Sequence, residues 1–348
     1  MRKTFWTTLD TMHRNLRLFY ILLFVTAVAV IVREYGNNSQ AEMSKVEASA
    51  FAVADTSAVT KIFIADKDGK QALLERMPGQ RYWSLNGEHF ARKDAVDLLL
   101  KTFKRVKVQS PVAKAKLETI NRMLAGRAKK VEIYQGGESP TKVWYIGTSD
   151  QSHTGTYMLL GDAYGNVADE PFVTHMEGFT GFLSTRFFTD EREWRYTGVF
   201  DYPGKSLGGI RVQHHENNLD YSMRVDSIGN ISFAGLKSKT RAAIDTLEAQ
   251  DHFNRFRKVH LETYNNHLTD RGLDSILQVP PAFTLSAWNV DSTLTSSIEL
   301  LWKEPTMDTY DEEGNLNPWD GARMYARFRG EVVLVQTFVF DPLLKSSF

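Results

Sequence analysis

The sequence predicts an α+β protein: one N-terminal transmembrane helix, then two tandem, duplicated α+β domains of mainly antiparallel sheet with packed helices. Three observations carry this. Apolar residues alternate in short runs punctuated by Asp-Gly and Asn-Gly turns, as hairpin strands do. Two helical stretches interrupt each set of runs, and the whole order recurs at a nearly constant offset along the 348 residues. Runs of antiparallel strands broken by helices point to sheets with helices on one face and not to a βαβ nucleotide fold.

The first element is apolar throughout. Leu18 to Val32 is fifteen residues without a charge. As a helix it rises roughly 22 Å at about 1.5 Å per residue, short of a ~30 Å hydrocarbon core. Leu16 extends it, Arg17 and Arg33 are placed to snorkel, and Tyr20 and Tyr35 suit the interfaces. Residues 1–33 carry Arg2, Lys3, Arg14, Arg17 and Arg33 against Asp10, a net of +4, so the remainder sums to −4. By the positive-inside rule this predicts a cytoplasmic N-terminus (1–17), a retained anchor (18–33) in the inner-membrane bilayer and a periplasmic body. Ala27-Val28-Ala29 also has the small-x-small form of a signal-peptide cleavage site. Residues 34–57, polar and rich in Ala and Ser, form the expected linker.

The first α+β domain is expected over 58–195. Val59, Ile62 and Ile64 alternate before the turn Asp66-Lys67-Asp68-Gly69. Gln71 to Met77 returns, and Tyr82 to Leu85 precedes the Asn86-Gly87 turn. Ala95, Leu98, Leu99, Thr102, Phe103 and Val106 then share one helical face. A shorter helix carries Leu117, Ile120 and Leu124 and is expected to stop at Gly126. Strands follow at Val131–Tyr134, Val143–Ile146, Thr156–Leu160 and Phe172–His175.

The second domain, 205–348, repeats this order. Strands are expected around Ile210, over Leu219–Val225 and over Ile231–Ala234, then a long helix from about Thr240 to Tyr264 and a short one over Leu268–Leu277. Phe283–Leu285, Ile298–Trp302, Met324–Phe328 and Val332–Phe340 are the closing strands. Leu100, Phe103 and Val106 recur as Phe253, Phe256 and Val259, each 153 positions on; Val131 and Ile133 recur as Phe283 and Leu285, 152 on. An offset that holds across helix and strand suggests duplication.

Composition excludes several function classes. Cysteine is absent, which removes disulfide frameworks, thiolate zinc sites and cysteine nucleophiles. The body beyond residue 33 is mildly acidic, which argues against a nucleic-acid partner. Gly204-Lys205-Ser206 lacks the earlier glycine of a phosphate loop, since that position is Val199, and Pro203 removes a donor the cradle needs; it reads as a turn. Asp308, Asp311, Glu312 and Glu313 before Gly314 read as a solvated hairpin loop, with weak calcium binding as the alternative. Glu248 and His252 lie four apart on a helix with His260 beyond, and no third metal ligand is visible. No nucleophile elbow, zinc-protease pair or dinucleotide glycine pattern occurs, so no catalytic, cofactor or metal residue is assigned.

One stretch is distinctive. Pro171-Phe172-Val173-Thr174-His175-Met176-Glu177-Gly178-Phe179 continues through Thr180-Gly181-Phe182-Leu183 and Arg186-Phe187-Phe188 to Glu193-Trp194-Arg195 and Val199-Phe200-Asp201-Tyr202. With Val106 to Val112, it resembles an uncharacterised envelope family of Bacteroidota, the domain-of-unknown-function 4340 family. The resemblance covers about residues 55–215, and the second half mainly by order of elements. It implies a membrane-anchored extracytoplasmic protein associated with ABC-transporter auxiliary components of the kind linked to gliding motility. No catalytic residues belong to the family pattern.

The expected function is therefore a non-enzymatic, membrane-tethered periplasmic subunit or scaffold that binds envelope protein partners. Trp319 after Pro318, with Tyr310 nearby, offers aromatics of the kind favoured in interfaces. Phe179 and Phe182, beside Gly178 and Gly181, are the other candidate partner-binding residues. An envelope hydrolase, or a small-ligand binding module, using a cleft between the domains is the alternative.

Overall fold

The computed structural model describes residues 24–27, 51–168, 170–217, 219–235, 241–243 and 247–345. Of the apolar stretch Leu18–Val32 only Phe24–Ala27 is among them, as exposed helical backbone; the remainder lies outside the described residues. Among the described residues no helix is long and apolar enough to cross a membrane. The expected single-pass inner-membrane location, N-terminus in the cytoplasm and body in the periplasm, is corrected on that finding.

The chain forms α+β structure with mostly antiparallel sheets and few helices, divided into two compact units. One unit comprises the described residues through Arg76 together with Asp94–Thr189; the other comprises Met77–Lys93 and Asp190–Phe348. In chain order the first elements are β1 (Lys61–Ala65), β2 (Gln71–Glu75), a small hairpin of β3 (Ser84–Leu85) and β4 (His89–Phe90), and α1 (Lys93–Arg105). Then come β5 (Val106–Pro111), α2 (Leu117–Arg127), β6 (Lys129–Tyr134), β7 (Lys142–Ser149), β8 (Thr156–Gly161) and β9 (Phe172–Met176).

In the first unit the strands lie in the order β2-β1-β6-β7-β8-β9-β5. Every pairing among them is antiparallel. Trp144 on β7 is fully buried, with Phe103 of α1 edge-on to it at 5.2 Å and Phe51 and Phe187 close by. Its neighbour Tyr145 points to the opposite face, as alternation on a strand requires. There it packs with Tyr157 and Leu159 against Ile120 and Leu124 of α2. Helices thus cover both faces of this sheet, where one covered face was expected. Gly147 makes the second contact possible: a Cβ there would lie 2.7 Å from the Leu124 side chain and 3.0 Å from the Tyr157 carbonyl oxygen. Val106 leaves α1 to open β5 because it and Val108 pair with Met176 and Thr174 of β9, and α2 runs through Gly126 to Arg127.

The second unit continues with β10 (Gly198–Asp201), β11 (Leu207–His214), β12 (Tyr221–Val225), β13 (Ile231–Gly235), β14 (Arg241–Ala243), α3 (Leu247–Arg255) and β15 (Lys258–His260). It closes with α4 (Asp270–Gln278), β16 (Phe283–Asn289), β17 (Thr295–Leu301), β18 (Arg323–Phe328), β19 (Glu331–Gln336) and α5 (Thr337–Leu344). An eight-stranded sheet runs β14-β13-β12-β11-β16-β17-β18-β19, and β10 pairs with β15 in a separate ribbon. The core is built from Ile210, Val212, Met223, Leu285, Ile298, Leu300 and Val333 of the sheet, with Phe253 of α3 and Phe340 and Leu343 of α5.

Two helix boundaries differ from expectation. The helix over Thr240–Tyr264 is α3 over Leu247–Arg255, its expected start at Thr240 lying outside the described residues. The chain turns out of it at Phe256 so that β15 can pair with β10. The strand over Val332–Phe340 ends at Gln336, and Thr337 begins α5. Val332 to Val335 are buried on both faces, so that stretch carries no alternation to mark where the strand stops.

Candidate functional site: a cleft under α4

The two short helices α2 and α4 follow the same sequence logic and end differently. In α2, Ile120 and Leu124 are buried against the sheet. The amphipathic α4 buries no residue fully; Leu273 and Ile276 are half-buried, while Leu277 and Val279 stand exposed. Thr269 starts α4 by accepting the Gly272 N–H at 3.3 Å, and Val279-Pro280 ends it. Between this raised helix and the sheet lies a cleft of about 1090 Å³. It is lined on the helix side by Leu268, Ile276 and Val279, and on the sheet side by Tyr325 and Leu334. Both sheet residues alternate with the core residues Met324 and Val333, so the cleft opens on the face opposite α3 and α5.

The cleft's end wall comes from the long connection between β17 and β18. Trp302 follows β17 directly, braced by Phe283 edge-on at 5.6 Å. Trp319 stacks on Trp302, their planes 14° apart and centroids 5.9 Å apart. The connection is pinned at its base: the Lys303 ammonium meets the Asp320 carboxylate at 2.8 Å, both side chains largely shielded. Asp320 Oδ1 also accepts the Ala322 and Arg323 N–H groups. Burial pushes the Asp320 carboxyl up, but the Lys303 bond and those two amides outweigh it and hold the group below the usual carboxylate range.

Several other polar groups of the wall are also bonded. Arg323 grips Glu262 through Nε and Nη2, the closest contacts at 2.8 Å. The Trp302 indole donates to Glu216 Oε1 at 2.9 Å. Asn266 donates to the Val332 carbonyl and accepts the Leu268 N–H. Asp341 on α5, whose carboxyl burial pushes up, lines no part of the cleft. Among the described residues no cluster of three or more His, Asp or Glu is placed to hold a metal. His252 is occupied by Tyr221 at 2.6 Å and His260 by Thr197 at 3.1 Å.

Of the residues proposed from sequence, Trp319 lines the cleft and Tyr310 does not. Tyr310 sits on a side hairpin, 62% exposed, bridged to Leu316. That hairpin turns on Asp311, whose carboxylate accepts the Glu313 and Asn315 N–H groups, so the acidic loop is tied by its own backbone. Gly204-Lys205-Ser206 is likewise a turn, closed by the Ser206 N–H on the Pro203 carbonyl. Phe179 and Phe182 belong to the first unit. Phe179 lies 4.1 Å over the guanidinium of the buried Arg186, and Phe182 stands against the His153 ring at 6.2 Å. Sequence reasoning missed Trp302, whose signal was its place at the end of a strand beside a lysine. It also missed the cleft, which depends on how far α4 stands from the sheet. No family model, curated protein or solved structure matches this chain.

Proposed function

We propose that this chain is a non-enzymatic, partner-binding subunit, and that its second unit receives an extended segment of a partner protein in the cleft under α4. One observation carries this reading. Both strong bases of the cleft are spent on acids, Lys303 on Asp320 and Arg323 on Glu262, while its aromatic and aliphatic surface stays open. A hydrolase needs a carboxyl held protonated beside one held ionised; a binding groove needs apolar area with a few fixed polar groups. The cleft has the second character.

The finer view of the fold belongs with this reading. The strand orders β2-β1-β6-β7-β8-β9 and β12-β11-β16-β17-β18-β19 have the same connectivity, which supports duplication of one unit. In the second copy, lifting α4 from the sheet converted a packing interface into a binding surface. The partner class implied by the family resemblance is an ABC-transporter or gliding-type envelope assembly.

The test is recovery of partners by tagged full-length protein from its native host, compared with the Trp319→Ala variant. A stoichiometric partner lost at least tenfold in the variant supports the reading. Equal recovery from both proteins, or the chain recovered alone, sinks it.

A further inference from the structure

The charge of the cleft is unbalanced. Glu216, Glu262, Glu304 and Asp320 line it against Lys303 and Arg323. Once Glu262 has taken Arg323 and Asp320 has taken Lys303, Glu216 and Glu304 remain without an ion pair among the described residues. Glu216 uses Oε1 for the Trp302 indole and has Oε2 to spare. Glu304 lends only its backbone carbonyl, to the Lys303 ammonium at 3.2 Å. The open charged and aromatic groups are thus two exposed carboxylates and the aromatic pair.

This combination sorts ligands by chemistry. Of the cleft's donor groups, the Asn266 amide, the Lys303 ammonium and the Arg323 guanidinium are already engaged, which leaves a sugar chiefly the small hydroxyls of Ser275 and Thr306 and the His267 ring. Anions meet two uncompensated carboxylates. A cation over an indole face gains from the ring's quadrupole, more so as water is excluded. A planar guanidinium also stacks flat and holds its hydration loosely, so arginine suits the site better than lysine.

Resting on the partner-binding reading above, we infer that the cleft selects a partner segment bearing an arginine, or less well a lysine. Its cationic head sits on the Trp302–Trp319 pair within reach of Glu216 and Glu304. The residues beside it lie along Ile276 and Val279. Both carboxylates stay exposed in the unliganded protein, so the free cleft bears no buried unpaired charge.

The experiment pans a random heptapeptide phage library against the full-length chain. Selected peptides are then made with arginine and with citrulline, its neutral isostere. Calorimetry follows each on wild type, Trp319→Ala and the doubly changed Glu216→Gln/Glu304→Gln protein. Tryptophan ¹⁵N spectra follow the Trp302 indole N–H with the same peptides and with tetramethylammonium chloride. The expected result is arginine enrichment, at least a tenfold loss of affinity with citrulline and with the double variant, and a shifted Trp302 signal. Peptides that need Trp319 but bind equally with citrulline would overturn the cationic inference and leave the partner-binding reading intact. No selected peptide, with tetramethylammonium still moving the Trp302 signal, would overturn peptide binding and leave a small-cation site. Silence from both probes would remove both.

Discussion

Arg195 and Glu331, 136 positions apart, meet in a two-bonded ion pair: Nη1 to Oε2 at 2.7 Å and Nη2 to Oε1 at 2.6 Å. The guanidinium, in a residue only 9% exposed, also lies 3.8 Å from the centre of the Tyr264 ring. One side chain therefore ties the start of the second unit to its β18–β19 hairpin end. Glu331→Gln removes the charge and leaves a shielded guanidinium half-satisfied, at an expected cost of about 2–3 kcal/mol. Arg195→Lys keeps the charge but loses the fork and the stacking, and is expected to cost about 1–2 kcal/mol. Urea unfolding of the three proteins checks the order: wild type most stable, then Arg195→Lys, then Glu331→Gln. A midpoint for Glu331→Gln equal to wild type would show the pair to be worth nothing.

The contrast between α2 and α4 gives a second expectation. Leu124 is buried among Ala128, Tyr157 and Leu159, so Leu124→Ala opens a cavity and should cost about 2–4 kcal/mol. Leu273, half-buried on a helix that stands off its sheet, should cost under about 1 kcal/mol when truncated. Chemical denaturation of both variants settles it. Equal losses would mean that α4 is held as firmly as α2, and the cleft would then be a packing defect.

His252 gives a pH dependence with a defined sign. It is buried, its Nε2 lies 2.6 Å from the Tyr221 hydroxyl, and burial with Arg255 nearby lowers its pKa from 6.5 to about 4. Below about pH 6.5 the unfolded chain takes up a proton that the folded chain refuses until about pH 4. The stability is therefore complete above the ordinary histidine pKa and falls as the pH drops through that window. Buried His214, also lowered by desolvation, acts in the same direction. Thermal melts from pH 7.5 to 4.5 should show a falling midpoint, with a visibly flatter slope in His252→Asn. An unchanged slope would mean that His252 titrates normally in the folded protein.

How far the sequence could be read follows from local signals. Hairpins declared themselves because Asp66, Asp226 and Asp311 each begin a turn that the carboxylate ties by accepting the N–H groups two and four residues on. The face of α1 was legible because Leu99 and Phe103 keep helical spacing and are both buried. α5 was not, because Val332 to Val335 lie between two covered faces and only Gln336 and Thr337 separate them from the equally apolar Phe338 to Phe340. Trp319 was found as an isolated aromatic. Its partner Trp302 lies seventeen residues earlier, across a connection whose closure by Lys303 and Asp320 depends on tertiary packing and leaves no periodic trace.

The segment Met77–Lys93 is made early but belongs with the second unit. During synthesis it emerges long before its companions: Asn86 waits for Glu191, Ala91 for Arg195, and Tyr82 for Tyr196 and Asp201. A fragment halted at Thr189 would display this unmatched hairpin to chaperones and proteases, however well the rest of it had folded. A single proteolytic nick at 189–190 would cut the chain in two yet would not separate the units cleanly, since the fragment carrying the first unit keeps Met77–Lys93 of the second. Transplanting the first unit into another protein therefore means replacing Met77–Lys93 with a short linker, because a plain truncation would carry a piece of its neighbour along.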